Sequence, residues 1–170
     1  SYTSTDTSGN TVRYLLLFYQ APSSDSNSNN LVQAWSKSAS GYTAVDENDI
    51  NLTSSDYEYE LESDSTAESE SDSTAESESD STTTVTRSLY DIGLNILCAF
   101  TTPDNKIFII DEVTVSSGGR QNSTYHRYHQ FDSSYSPADI LEQLAATETN
   151  KTVETGNVTA LTLSIYLDQV

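Results

Sequence analysis

Residues 88–116 read SLYDIGLNILCAFTTPDNKIFIIDEVTVS, and this stretch decides the fold class. Tyr90, Ile92, Leu94, Ile96, Cys98 and Phe100 alternate with Asp91, Gly93 and Asn95, the period of a strand with one face buried. Leu89, Ile92, Ile96 and Leu97 also satisfy a helical spacing, but Gly93 and the strict alternation favour extended chain. Pro103-Asp104-Asn105, inside the segment Thr101 to Lys106, marks a turn, after which Ile107, Ile109, Val113 and Val115 continue the pattern. Residues 88–116 are therefore expected to form a β-hairpin.

The same period extends outward in both directions. Val12, Tyr14, Leu16 and Phe18 fall on one face and Leu15, Leu17 and Tyr19 on the other, which predicts a central strand covered on both sides. Ala21 to Asn30 reads as a loop, and the apolar group Leu31, Val32, Ala34 and Trp35 fits either element type. Tyr57, Tyr59 and Leu61 alternate with Glu58, Glu60 and Glu62, a half-exposed strand with an acidic wet face. Tyr125 to Phe131 forms a further strand, and Leu161, Leu163, Ile165 and Leu167 alternate with Thr162, Ser164 and Tyr166 in a last one. One helix is expected from Ser136, which is followed by Pro137 and by Asp139 three positions on, with Ile140, Leu141, Leu144 and Ala145 as its apolar face. Strands that are not interleaved with helices predict a mainly β chain, an antiparallel β-sandwich or small barrel with one short helix.

Between the strands lies an eight-residue repeat, Asp-Ser-Thr-Ala-Glu-Ser-Glu-Ser, at 64–71 and 72–79, beginning again at Asp80. Residues 63–84 hold two alanines as their only apolar side chains and no Lys or Arg, so burial there does not offset the roughly 1–2 kcal/mol per residue of backbone ordering. The chain is thus expected to be a single domain over 1–170 interrupted by a long acidic loop insertion at 63–84.

The 170 residues carry a formal charge of -19 and the repeat region dominates it: residues 56–80 hold eleven of the 26 acids and no base. Such a field repels phosphates and anionic lipid, which argues against nucleic-acid partners, and no apolar run is long enough to span a membrane. Cations or a basic partner suit the acidic loop better. Scarce lysine also fits adaptation to high salt. A chain that begins at Ser1 and lacks methionine is expected to have been processed. The single Cys98 excludes an internal disulfide, and its apolar neighbours predict a buried, inert thiol.

Several residues stand out as candidate sites. Arg120, His126, Arg127 and His129, interleaved with Tyr125 and Tyr128, form the one basic patch visible in the sequence, a candidate contact for an acidic partner. His126 and His129 fall on opposite faces of a strand, which argues against a shared metal ion. Tyr125, Tyr128, Tyr135 and Trp35 would offer rings to a sugar. Asn51, Asn122, Asn150 and Asn157 head Asn-x-Ser/Thr sequons, although 50 Ser and Thr residues make such matches common by chance. Ser65, Ser69, Ser73 and Ser77 each precede an acid by three positions, the pattern of acidophilic phosphorylation.

There is no Gly-x-Ser-x-Gly elbow, no Gly-rich phosphate loop and no acid pair in a rigid frame, so neither catalysis nor a cofactor is expected. The sequence favours a structural subunit that assembles with copies of itself into an extracellular filament, surface layer or virus-type particle. Strand 12–19, apolar on both faces, is a candidate for exchange between copies. A secreted carbohydrate- or protein-binding module and a phospho-regulated adaptor are the alternatives.

Overall fold

The computed structural model describes residues 1–22, 29–61, 82–117 and 121–148, without the side chains of 116, 117 and 121–123. Within these the chain is mainly β, with antiparallel sheets and one short helix. The strands are β1 (Tyr2–Thr5), β2 (Thr11–Tyr19), β3 (Leu31–Ser38), β4 (Gly41–Ala44), β5 (Ser54–Leu61), β6 (Thr83–Asp91), β7 (Asn95–Thr101), β8 (Ile107–Ser117) and β9 (Gln121–Phe131), and the helix is α1 (Pro137–Ala146). The first sheet is ordered β1-β2-β3-β6-β5, with β4 also pairing β3, and the second β7-β8-β9.

The expected hairpin at 88–116 is realised as β7–β8, but the run from Tyr90 to Phe100 is not one strand. It breaks at Ile92–Leu94, where Gly93 sits at φ +70, and the chain passes there from the first sheet to the second. A left-handed backbone favours glycine, and the Asp91 carboxylate accepts the Gly93 N–H at 2.8 Å to hold the turn. Alternation survives the corner because Ile92, Leu94 and Ile96 all enter the core, at 1, 3 and 2% exposure.

β2 lies between β1 and β3, paired with β1 over Thr11–Tyr14 and with β3 over Arg13–Tyr19. Its core-side residues Leu16 and Phe18 are half-buried, and Leu17 on the opposite face is exposed, so the double coverage expected from its composition is not found among the described residues. The unassigned group at 31–35 is the start of β3, whose Leu31, Val32 and Ala34 are buried. β5 and β6 pair along their length down to Leu61 opposite Thr83, so the acidic repeat joins the paired ends of a hairpin, and Thr83 and Thr84, expected within the insertion, belong to β6. Only Tyr90 and Asp91 of β6 pair with β3, and the hairpin reaches back to β2 through the Tyr59 hydroxyl, which donates to the Gln20 carbonyl at 2.7 Å.

α1 starts as the sequence predicts. Ser136 accepts from the Asp139 N–H at 3.2 Å while Asp139 accepts from the Ser136 N–H, a reciprocal cap with Pro137 at the first helical position. Ile140, Leu141 and Leu144 are fully buried and join both sheets in one cluster with Val32, Tyr90, Ile92, Ile107, Ile109 and Phe131. Side chains also fasten the sheets' edges. The Asn105 amide, at the β7–β8 turn, donates to the Thr3 carbonyl at 2.7 Å and accepts from its N–H at 3.2 Å, closing the outer edge of β1. The Asn29 amide donates to the Ile96 carbonyl at 3.2 Å at the start of β7.

The acidic stretch 63–81, Ser65, Ser69, Ser73, Ser77, Arg120, Asn150, Asn157 and the strand expected over 161–167 lie outside the described residues.

Ile109, at 0% exposure in the middle of β8, tests the shared core. Ile109→Ala should cost about 2–5 kcal/mol of unfolding free energy in urea titration. A loss below about 1 kcal/mol would mean that the two sheets do not share one packed core.

Candidate functional site

Asp111 interrupts the apolar face of β8, following Ile107 and Ile109 at the strand period, and that face turns inward. A carboxylate there requires cationic and hydrogen-bonding partners, because an ion removed from water unpaired costs far more than the fold has to spare. β9 supplies them. Pairing with β8 puts Arg127 directly opposite Asp111 and His129 two residues on, on the same face. The guanidinium grips both carboxylate oxygens, Nε to Oδ1 at 3.2 Å and Nη2 to Oδ2 at 2.8 Å. His129 Nε2 lies 2.8 Å from Oδ1, and since an ionised carboxylate only accepts, the imidazole donates this bond from Nε2.

Asp111, Arg127 and His129 are exposed by only 1, 2 and 6%. Arg127 Nη1 also donates to the Thr147 carbonyl at 3.4 Å, just past the end of α1, where a cation is favoured by the unpaired carbonyls and the helix dipole. Burial by itself would raise the Asp111 pKa, but the hydrogen bonds from His129 and Arg127 outweigh it and hold the carboxyl below the usual carboxylate range.

This arrangement departs from the basic patch read in the sequence. β9 divides that patch between two faces, with Arg127 and His129 inside and His126 and Tyr128 outside. His126 is exposed and meets Glu112 at 3.1 Å; Tyr128 is half-buried, its ring 6.4 Å from that of Phe108. Tyr125 lies on the inner side of β9 and Asn122 in its first turn of chain, where only the backbone is described. The rings weighed for sugar binding do not meet either: Tyr135 packs edge-on against Phe131 at 5.2 Å and Trp35 belongs to the other sheet. Asn51 is exposed, its N–H donating to Glu142.

An Asp–His pair is two-thirds of a hydrolytic triad, but no hydroxyl or thiol bonds to His129 among the described residues, and its ring is shut inside the core. A cleft of about 130 Å³ adjoins the cluster, lined by Gly93, Glu112 and Glu148 together with Asp111 and Arg127. The Glu148 side chain lies against Gly93, its carboxyl carbon 2.6 Å from where a Cβ would stand. No group of three or more His, Cys, Asp or Glu side chains poised for a metal ion occurs among the described residues. Cys98 is not buried as expected. The bulge at Leu97 shifts the register of β7, so that Cys98 pairs with Ile110 on the outward face of the second sheet and is exposed, with partial desolvation raising its thiol pKa.

A second surface was not visible in the sequence. On the face of the first sheet turned away from the core, cross-strand pairing aligns Arg13 with Lys37, Leu15 with Trp35 and Leu17 with Gln33, and brings Tyr42 opposite Lys37. Arg87 lies on the same face, opposite Tyr57. Three of the five Lys and Arg residues among those described thus share one face, and none of the three forms an ion pair there. Leu17 is 36% and Tyr42 45% exposed. The Lys37 ammonium stands 5.6 Å from the centre of the Tyr42 ring. Gln33 Oε1 and Trp35 Nε1, two residues apart, are both buried without a hydrogen-bond partner among the described residues.

Compared with family models, curated proteins and solved structures, the chain matches none.

The buried cluster makes a pH-dependent prediction. A carboxyl whose folded pKa lies below its unfolded value of 3.8 stabilises fully above that value and loses its contribution as pH falls through the folded one. Asp111→Asn should lower unfolding free energy by about 3–5 kcal/mol at neutral pH, by leaving Arg127 buried without its counter-charge. The gap from wild type should close as urea titrations move below pH 3.8. A gap that stays constant down to pH 2 would show that the charge of Asp111 contributes nothing.

Proposed function

We propose that this chain is a non-catalytic structural subunit that assembles with copies of itself into an extracellular filament, surface layer or virus-type particle. The observation that carries the reading is the outward face of the first sheet, where Leu15, Leu17, Trp35 and Tyr42 lie with Arg13 and Lys37, and Arg87 faces the same way from β6. Apolar and aromatic surface rimmed by charge marks protein contact, with aromatic side chains and arginine enriched at interface cores. The occupant is a second copy of the chain. With a formal charge of -19, any neighbouring copy presents acidic surface to these bases, and the complementarity favours association.

The unpartnered Gln33 carbonyl and Trp35 N–H support the same reading. Each carries a desolvation cost of about 1–3 kcal/mol, placed directly beneath this face. We take the two sheets around one core as a sandwich-type unit presenting this face. Exchange of strand 12–19 is not required by this reading, in which β2 stays in its own chain, paired with β1 over Thr11–Tyr14 and with β3 over Arg13–Tyr19.

Electron microscopy and sedimentation velocity over a range of salt test the proposal. Regular assemblies should form at low salt and weaken as salt screens the charge contacts. Leu17→Glu, and separately Arg13→Glu with Lys37→Glu, should leave monomers with unchanged circular dichroism. Monomers of the wild type at every salt concentration would overturn the proposal, as would assemblies indifferent to both variants.

A further inference from the structure

The first sheet carries unneutralised charge of opposite sign on its two faces. On the outward face Arg13 of β2 and Lys37 of β3 stand directly opposite each other, and neither meets a carboxylate among the described residues. Like charges so placed destabilise a sheet. The other face of the β5–β6 hairpin is acidic. Pairing sets Asp56 against Ser88, Glu58 against Thr86 and Glu60 against Thr84, so three carboxylates run along β5 with only hydroxyl side chains opposite them on β6. The Ser88 hydroxyl donates to Glu47 at 3.4 Å, which adds a fourth acid at one end of the row. All four are exposed, and none forms an ion pair among the described residues.

Strand parity keeps the two sets apart. Arg87, the one base of β5 and β6, pairs with Tyr57 and shares the outward side with Arg13 and Lys37, while Glu58 and Glu60 alternate with Tyr57 and Tyr59 and lie on the other side. Within one molecule the basic pair and the acidic row therefore stand on opposite faces of the sheet. Between two molecules they fit. Residues two apart on a strand are about 7 Å apart, and directly paired residues on neighbouring strands about 5 Å apart at Cβ, a difference that the long stems of Arg and Lys cover. Other described acids are less open to a partner: Asp104, Asp111 and Glu112 are engaged by Lys106, Arg127 and His126, and Asp139 by the cap of α1.

Resting on the self-assembly proposed above, we infer that the contact between copies runs head to tail, with Arg13 and Lys37 of one copy docked on the Glu58 and Glu60 row of the next. The two patches differ, so the contact is heterologous. Every docked copy leaves a basic pair open at one end and an acidic row at the other, and growth continues until a ring closes or a filament extends. A closed twofold dimer uses one patch twice and does not arise from this contact.

Two variants of the full chain test the pairing, Arg13→Glu with Lys37→Glu, and Glu58→Lys with Glu60→Lys. The first presents acid on both sides of the sheet and the second base on both, so each alone should sediment as a monomer at low salt. An equal mixture should restore assembly, because every contact between unlike variants is complementary again, and should lose it as added salt screens the charges. Circular dichroism matching wild type checks that both fold. Glu58→Gln with Glu60→Gln, which keeps side-chain size, should also weaken assembly. If the wild type forms regular assemblies, a mixture that stays monomeric would overturn the head-to-tail contact and leave self-assembly standing. So would assembly of the chain with Glu58→Lys and Glu60→Lys by itself. A wild type that is monomeric at every salt concentration would instead overturn the self-assembly on which the contact rests.

Discussion

A carboxylate held out of water inside β8 sets the register of the second sheet. Asp111 tolerates its place only if Arg127 stands opposite and His129 beside it, and a slip of one residue between β8 and β9 would turn both cations to the outer face. The penalty for that slip is a charge stranded in the core, larger than any loss of hydrophobic contact along the strand. Because Arg127 also bonds the carbonyl of Thr147, the same side chain fixes where α1 ends against the sheet. Apolar burial draws the elements together without direction; the cluster determines which alignment is unique.

The second constraint is geometric. One continuous alternation, from Tyr90 to Ile96, serves two sheets because a single left-handed residue lets the chain turn while its buried side chains keep pointing inward. Gly93 meets this need through its φ of +70, a conformation in which any other side chain is strained. The corner thereby brings the start of β7 to the end of α1 and forms the cleft beside Asp111. Fold and candidate site share one origin in the sequence.

The period-2 signal made the strands legible, and the Ser136 cap made the helix so, because both are encoded within a few residues. The break at Gly93 is not legible in the alternation, which carries straight through it; a glycine that favours extended chain over helix in the sequence has a positive φ that ends the strand. Cys98 went wrong for a related reason. A bulge at Leu97 adds one residue to the count, and the thiol moves from the expected interior to the surface. The Asp111 cluster could have been found. An acid in register with Ile107, Ile109 and Val113 calls for a cation, and Arg127 and His129 have the parity to supply it, but grouping the bases by nearness in sequence hid the pairing. The set Arg13, Lys37 and Arg87 had no local signal at all, because only the strand order brings these residues to one face.

That face breaks a local rule in a telling way. Arg13 and Lys37 are direct cross-strand partners, and like charges so placed destabilise a sheet, in a chain with acids to spare. The Tyr42 ring beneath Lys37 offsets part of this, and nothing else among the described side chains neutralises the pair. Two buried polar atoms without partners belong to Trp35 and Gln33, two and four residues from Lys37 along β3, so three departures from good local design gather on one face. Elsewhere the chain satisfies such groups closely, as the Asn105 and Asn29 amides do at the sheet edges. Local violations that a fold does not need tend to mark the place where it meets something else. Two like charges beside aromatic rings, on a protein whose remaining charge is strongly negative, are the feature on which the proposed self-assembly rests.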